Sequence, residues 1–469
     1  MAPAPWDQLP SQDTLFVLVT GANSGIGFGI CERLIDEYLT TRSLSSHLVL
    51  IPTTRSVQKS QETINGLRAH AKKFAATSKT LRSRAGDTNY DPKQATRRIH
   101  ILSVQIDLCN LPTISAAANQ LISGTVSSPS TDDDDDAFIS LHDVHIPRLD
   151  SVIFNAGMGG WYGLDWSKVV HNFVTAGIVA ATTWPTFKGA TAGAVVNPLP
   201  SSSSKEKEPP VLGQVFCANV FGHYLFAHKL LPLLSRPSSS SSEIPPPGRI
   251  IWETSIEPDW PCLSLDDFQA IKTNAAYEST KRLTDVLALT SSLPASTPYV
   301  ESYLNSEKQA TTTPPKIYLV HPGVVQTTLF PLNAFMYFWY TVVLYLTRLL
   351  GSPWHPITGY NGACAPAWLA LQEQAWLDSV DADRIKWGSS TNVWGECRVR
   401  KTEVDGWGWE GKVEDVKELK RQGKLSGRKP GATDLTEERL VEFKSLGAEC
   451  WKRMEKLREE WEARTEGRK

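Results

Sequence analysis

The 469-residue sequence predicts an α/β fold: a doubly wound parallel sheet with long insertions and a C-terminal helical extension. Three observations carry this. Short aliphatic or β-branched runs alternate with amphipathic stretches of helical length. The runs are nearly continuous in apolar residues, as strands covered on both faces must be. The first run leads straight into a glycine-rich turn that opens a helix.

In chain order the predicted strands are Leu15–Thr20, His47–Ile51, His100–Ile106, Ser151–Phe154, Arg249–Trp252 and Lys316–Val320. Helices are expected near Gly25–Tyr38, Leu111–Leu121, Phe216–Leu234 and Ala275–Leu289. Four segments read as insertions: 56–99, rich in Lys, Arg and Ser with a weak helical pattern; 124–137; 158–210; and 236–247. The second ends in the run Asp132 to Asp136. A like-charge run of this kind reads as a solvated loop, with cation binding as the alternative. PLPSSSSKEKEPP from Pro198 and RPSSSSSEIPPP from Arg236 are low-complexity linkers with too little apolar surface to order.

Residues 1–380 are expected to form one catalytic domain and 381–469 a separate, Trp-rich extension. Positions 401–469 hold 33 Asp, Glu, Lys or Arg residues in 69, nearly half, against 21% in the whole chain. The end of that tail reads as an amphipathic helix, with Asp434 and Glu437 as a capping-box pair and Leu440, Phe443, Trp451, Met454, Leu457 and Trp461 at helical spacing.

Composition narrows function. Lys+Arg 48 against Asp+Glu 50 leaves a net charge of −2, without the basic excess that nucleic-acid binding requires. Seven scattered cysteines, odd in number and without C-x-x-C, point to a reducing compartment and to no disulfide framework or structural metal. Met1 to Trp6 lacks the basic and apolar regions of a secretory leader, so the catalytic part is expected to face the cytosol.

The first strand runs into Thr20-Gly21-Ala22-Asn23-Ser24-Gly25-Ile26-Gly27. Gly21 permits the tight turn, Gly25 lets the backbone approach a pyrophosphate, and Gly27 allows close helix–sheet packing. The helix start offers free N–H groups to an anion. Gly21, Asn23, Ser24, Gly25, Ile26 and Gly27 are therefore candidate dinucleotide ligands in a Rossmann-like fold. After the second strand comes Pro52-Thr53-Thr54-Arg55, where an NAD-selective site would place an acidic residue. Thr54, Arg55 and Lys59 instead suit a 2′-phosphate, which favours NADPH. The alternative is that Arg55 merely starts the next helix on the surface.

Tyr277 and Lys281 lie four residues apart on a predicted helix and share a face. An ammonium near a phenol favours its ionised form, which would make proton exchange with a carbonyl feasible. Ser255, just past a strand, supplies a hydroxyl for the same oxygen, and the neighbouring Thr254 could share that role. His223 has no second ligand at metal spacing and reads as a packed helix histidine.

This set, with Asp107-Leu108, Asn155-Ala156-Gly157, Asn219-Val220 and Pro322-Gly323 in the same order, resembles the short-chain dehydrogenase/reductase superfamily over residues 14 to about 330. The resemblance implies that Ser255 orients the substrate, Tyr277 transfers the proton and Lys281 holds the nicotinamide ribose. It implies that Asn219 positions a lysine-bound water, Asp107 sits near the adenine, and Asn155 and Val324 line the cofactor cleft. Taken singly, Asn219 also reads as an inward polar residue, Asn155 as a strand-end turn and Asp107 as a helix cap. Two spacers are long, the 61 residues before Asn219 and Ile256 to Ala276 before Tyr277.

Within the superfamily, Trp252-Glu-Thr-Ser255, Leu263-Ser-Leu-Asp-Asp-Phe268, Ala276-Tyr-Glu-Ser-Thr-Lys281, Asn219-Val-Phe-Gly-His223 and Gly359-Tyr-Asn-Gly362 resemble the 3-keto-steroid reductases of sterol C-4 demethylation. The insertions and tail suggest the fungal, ergosterol-producing branch. The resemblance implies NADPH-dependent reduction of a sterol 3-ketone to the 3β-alcohol. The implied location is the cytosolic face of the endoplasmic reticulum membrane, with lipid droplets as a second site, beside a sterol methyl oxidase and a decarboxylase. Leu329 to Leu346 carries no charge and seven aromatic residues. With Pro331, Asn333 and Thr341 inside it, the run reads as a substrate lid over 329–350 whose apolar face meets a membrane surface, and the alternative is a buried core helix. Reduction of another lipid carbonyl (a 17-keto steroid or retinal) and a non-catalytic scaffold in a membrane sterol complex are the competing functions.

Overall fold

The computed structural model describes residues 4–86, 90–128, 137–199, 210–238, 245–305, 312–327 and 332–466. The Asp132 to Asp136 run, linker residues 200–209 and 239–244, and residues 328–331 of the expected lid lie outside the described residues.

The main sheet contains β1 (Thr14–Val19), β2 (His47–Thr54), β3 (Ile99–Ile101), β4 (Ser151–Phe154), β5 (Arg249–Glu253), β6 (Lys316–His321), β7 (Lys386–Thr391) and β8 (Cys397–Thr402). Their order is β3-β2-β1-β4-β5-β6-β7-β8, parallel throughout except for the antiparallel edge strand β8. The order in which the chain adds strands reverses between β1 and β4, and a doubly wound sheet opens its ligand crevice at that switch, beyond the carboxyl ends of the strands. The strands read as unbroken apolar runs because they are buried from both sides. Phe16 and Leu18 face one core cluster and Val17 and Val19 the other.

All six predicted strands are present. His100–Ile106 is divided, since Leu102 and Ser103 interrupt pairing with β2 before Val104–Gln105 resumes it. The expected boundary at 380 needs correction: β7 and β8 extend the sheet to Thr402, so residues 386–402 belong to the catalytic domain. KWGSST and CRVRKT lack a strand's aliphatic pattern, yet β7 is buried along its whole length. Its Lys386 is admitted to the interior by an ion pair with Asp285 at 2.7 Å.

Helices α1 (Gly25–Thr41), α2 (Val57–Thr77) and α3 (Leu111–Ile122) flank the sheet. The 56–99 insertion contains α2, capped by Ser56, which accepts the Lys59 N–H. The segment after β4 is more than linker. A hairpin of Trp161–Leu164 with Lys188–Ala190 brackets α4 (Trp166–Thr175) and α5 (Gly177–Thr183). Next comes the predicted helix at 216–234, with a π-helical turn over Cys217–Phe221 leading into α6 (Gly222–Lys229). α7 (Ala276–Thr290) carries Tyr277 and Lys281, and α8 (Thr297–Leu304) follows it.

α9 (Ala334–Leu349) falls within the segment expected to act as a lid, and Asn333, counted above as an interruption, caps it by accepting the Met336 N–H at 2.9 Å. Only Leu344 and Thr347 are fully buried in it, so the core-helix alternative fails. No helix among the described residues is long and apolar enough to cross a membrane.

The tail helix α10 (Glu437–Glu466) packs on α7 and α8. Leu440, Phe443, Trp451, Met454 and Trp461 are buried as the spacing predicts, and the Trp451 indole donates to Leu287 O at 3.0 Å. The predicted capping box is corrected. Thr436 caps α10 by accepting the Arg439 N–H, while Asp434 instead pairs with Arg428.

Candidate active site

One cleft of about 1240 Å³ opens along the carboxyl ends of β1, β2, β4 and β5 and continues under α4 and α9. That exceeds the roughly 300–1,000 Å³ typical of a single small-molecule site and leaves room for two ligands side by side.

The glycine loop forms one end. Gly21 has φ +64°, and a Cβ there would fall 2.8 Å from the Ala156 backbone. A Cβ on Gly27 would fall 2.4 Å from Gly21 O and 2.5 Å from the Asn155 amide. Ser24 does not cap α1 with its side chain, so the first-turn N–H groups remain open to an anion. Asn23, Ser24, Gly25 and Ile26 line the same end. Asn155 lies at the strand-end turn and donates to Thr20 O at 2.9 Å and Gly21 O at 3.3 Å, holding the loop in place.

Arg55 and Lys59 border the cleft at the end of β2, with Arg55 exposed and without a hydrogen bond or ion pair among the described residues. The Thr54 hydroxyl is committed elsewhere, bonded to Ser56 O at 2.9 Å and Ser60 Oγ at 2.8 Å. Thr53 Oγ1, buried at the cleft wall, has no hydrogen-bond partner among the described residues. Asp107 accepts the Cys109 N–H at 2.9 Å and so shapes the turn on which it borders the cleft. Val324 borders it too, but its N–H is donated to Trp354 O at 2.7 Å. The loop cradle, the uncapped helix and the unpartnered guanidinium fit a dinucleotide with an additional phosphate.

Ser255, Tyr277 and Lys281 converge midway along the cleft. The Ser255 hydroxyl accepts the Glu257 N–H at 3.3 Å and lies beside the Tyr277 phenol, whose ionised form it favours. Lys281 Nζ stands 5.7 Å from the Tyr277 ring centroid and donates to Glu253 O at 2.7 Å. Burial pushes the Lys281 ammonium down to about 8, against the opposing pull of Glu253 and Asp285. Thr254 does not share the serine's role, because its hydroxyl donates to Lys281 O at 3.1 Å.

Asn219 sits in the π-helical turn, a distortion often found at functional sites. Its amide clasps Met158 in both directions, accepting from N–H at 2.8 Å and donating to O at 3.0 Å, and donates to Thr280 at 3.2 Å. The inward polar reading describes these contacts. His223 is buried, stacks on Phe154 and bonds to Thr20 Oγ1 at 2.9 Å; burial pushes it down to about 3, so it is neutral.

One electrostatic expectation reverses. Burial pushes the Tyr277 phenol above its ordinary value, and Glu257, Glu278 and Glu253 reinforce that direction against the Ser255 hydrogen bond. Lys281, with its proton directed at a carbonyl, does not bring the phenol toward neutrality.

Of the far wall, the sequence marked only the 329–350 run and not the 161–190 hairpin or α4. Trp161 lies 4.7 Å from the Tyr277 ring, between centroids, and Lys188 reaches the same ring from the hairpin. Trp166 and Phe173 of α4, with Phe335, Trp339 and Tyr340 of α9, make the remainder apolar and aromatic. The stretch TFKGATAGA around Lys188 has no periodicity or motif that could have marked it.

No family model matches the chain. The 3-keto-steroid reductase ERG27 of Gibberella zeae is 50% identical over 471 residues, covering 98% of this chain and 97% of its own length. The 3-keto-steroid reductase erg27 of Aspergillus fumigatus is 40% identical over 464 residues, covering 96% and 94%. Among solved structures, a 3-oxoacyl-[acyl-carrier protein] reductase from Brucella melitensis in complex with NAD aligns at 15% identity and TM-score 0.36, covering 76% of this chain and 89% of its own.

Proposed function

The chain belongs to the 3-keto-steroid reductase family of oxidoreductases, and from that premise we propose that it reduces a sterol 3-ketone to the 3β-alcohol at the expense of NADPH in sterol C-4 demethylation. The convergence of Ser255, Tyr277 and Lys281 in a cleft with an aromatic far end carries this reading. When bound along the glycine loop, the reduced nicotinamide supplies hydride to the carbonyl carbon. Ser255 orients the carbonyl oxygen, and Tyr277 gives it a proton as alkoxide character develops. Lys281, fixed by Glu253 O, holds a donor toward the cofactor side of the tyrosine. Arg55 and Lys59 support the choice of NADPH, since both border the cofactor end of the cleft and Arg55 makes no hydrogen bond or ion pair among the described residues.

The same reading sets the chain at the cytosolic face of the endoplasmic reticulum membrane, beside the oxidase and decarboxylase that would deliver its ketone. α9 supports it: Phe338, Leu346 and Leu349 are 59%, 46% and 60% exposed on a helix whose Phe335 and Trp339 also border the cleft. A helix with one apolar flank outward lies in a membrane interface and does not span it. NADPH oxidation by detergent-solubilised protein tests the function, with a 4-desmethyl 3-keto sterol beside a 17-keto steroid and retinal. Turnover of the 3-keto sterol alone is expected, and preference for either competitor would reassign the substrate.

A further inference from the structure

Glu253 is a buried acid at the site for which the reaction above has no use. It ends β5, two residues before Ser255, and borders the cleft although it is only 5% exposed. Neither of its carboxyl oxygens has a hydrogen-bond partner among the described residues. Lys281 Nζ does not donate to this carboxyl but to the backbone O of the same residue, at 2.7 Å. Other buried carboxyls are supplied with donors. Asp285 pairs with Lys386 at 2.7 Å, and Glu455 accepts from Tyr224 at 2.6 Å and from Ser302 at 2.7 Å.

A buried carboxylate without donors is strongly disfavoured, so this setting holds the acid form. Burial pushes Glu253 up to about 8 against the pull of the Lys281 ammonium. Burial also brings Lys281 down to about 8, so two groups of matched acidity face each other. The ring of Tyr277 stands 5.7 Å from the same ammonium. Packing gains nothing from an acid without partners, and its place on the cleft gives it a use.

We propose that Glu253 is the internal proton store of the reduction, acting on Tyr277 through Lys281 without touching the substrate. Hydride from the reduced nicotinamide adds to the carbonyl carbon, and the Tyr277 O–H bond breaks as an O–H bond forms on the substrate oxygen. The phenolate left behind takes a proton from the Lys281 ammonium. The resulting amine takes the Glu253 carboxyl proton, directly or across one water. Solvent in the cleft returns a proton to the carboxylate, so one solvent proton is consumed for each ketone reduced. Delivery to the phenolate runs downhill, since Tyr277 titrates above the ordinary phenol value of about 10. The inference rests on the proposed reaction, with Tyr277 as its proton donor. Tyr277 and Lys281 face Glu253 from α7. Asp285 and Lys386 stand behind Lys281, and the neutral His223 faces it from α6. Glu257 and Glu278 face the phenol and pair with Lys188, and Lys429 faces Glu257.

The test reads the stored proton and its use separately. Infrared difference spectra of full-length protein, wild type minus Glu253→Gln, should show a protonated-carboxyl band at low pH that fades as pH rises through about 8. In stopped-flow oxidation of excess NADPH with excess 3-keto sterol, Glu253→Gln should slow the later turnovers about tenfold or more relative to its own first. Wild type should show no such gap. Glu253→Asp, which keeps an acid at the position, should restore most of the later rate. NADPH affinity within about twofold of wild type shows that each variant is folded, because Glu253 is not asked to bind the cofactor. Absence of the carboxyl band from the difference spectrum would overturn the proposal, as would equal first and later turnovers in Glu253→Gln. If the wild type reduces no 3-keto sterol, the functional reading fails while the infrared band still decides whether Glu253 holds a proton.

Discussion

Three glutamates and two lysines surround Tyr277, and the pairing among them sets what each can do. The portion of this constellation on contiguous elements was legible in the sequence. Tyr277 and Lys281 share a helical face by spacing, Ser255 follows a strand, and Gly21 to Gly27 join strand to helix. Contacts made across the fold were not. Nothing local shows that Thr254 bonds to Lys281 O, that Asn219 clasps Met158, or that a lysine near residue 190 returns to the tyrosine. At this scale Arg55 offers a sharp prediction. Arg55→Glu should weaken NADPH about tenfold or more and NADH about threefold or less in fluorescence titrations, because a guanidinium bonds a phosphate with charge-assisted strength that a ribose hydroxyl cannot match. Equal weakening of both would remove the 2′-phosphate assignment.

Among the elements, β7 and α9 show why pattern alone misplaces a boundary or leaves two readings open. β7 carries Lys, Gly, Ser and Thr where an interior strand usually carries Val or Ile, and it enters the sheet because Asp285 of α7 neutralises Lys386. Lys386→Met would leave that carboxylate buried without its cation. It should cost about 3–5 kcal/mol in urea unfolding followed by tryptophan fluorescence, whereas a change below about 1 kcal/mol would mean the pair is dispensable. α9 was legible as an apolar run, but whether it faced core or solvent depended on tertiary packing. Its outward flank should bind membranes. Phe338→Asp with Leu346→Asp is expected to lower co-sedimentation with phosphatidylcholine vesicles about tenfold or more, with NADPH affinity unchanged, since each replaces buried apolar area with a charge. Undiminished co-sedimentation would place the membrane contact elsewhere.

The whole molecule is held together from behind the site. α10, foreseen as amphipathic but without a known docking face, lies against α7 and α8, and the charged tail thereby supports the helix that carries Tyr277 and Lys281. On the opposite face of the sheet, α2 is tied to α1 by His70, whose ring nitrogens lie 3.1 Å from Glu32 and 2.8 Å from Asp36. Burial opposes the imidazolium, but hydrogen bonds to Asp36 and Glu32 outweigh it and raise His70 to about 9. A folded-state value above the unfolded one gives stability that is complete below pH about 6.5 and lost as pH rises through about 9. The wild type should therefore lose about 2–3 kcal/mol between those limits, a loss absent from His70→Gln and measurable by urea unfolding at each pH. A parallel decline in the two proteins would show that His70 is not its source.

The most direct measurement is single-turnover NADPH oxidation with a 4-desmethyl 3-keto sterol, wild type against Tyr277→Phe. If Tyr277 delivers the proton, the variant should bind NADPH with affinity within about twofold of wild type while turnover falls by about 10² to 10⁴. Reduction of the sterol at wild-type rate by Tyr277→Phe would contradict the account at its centre.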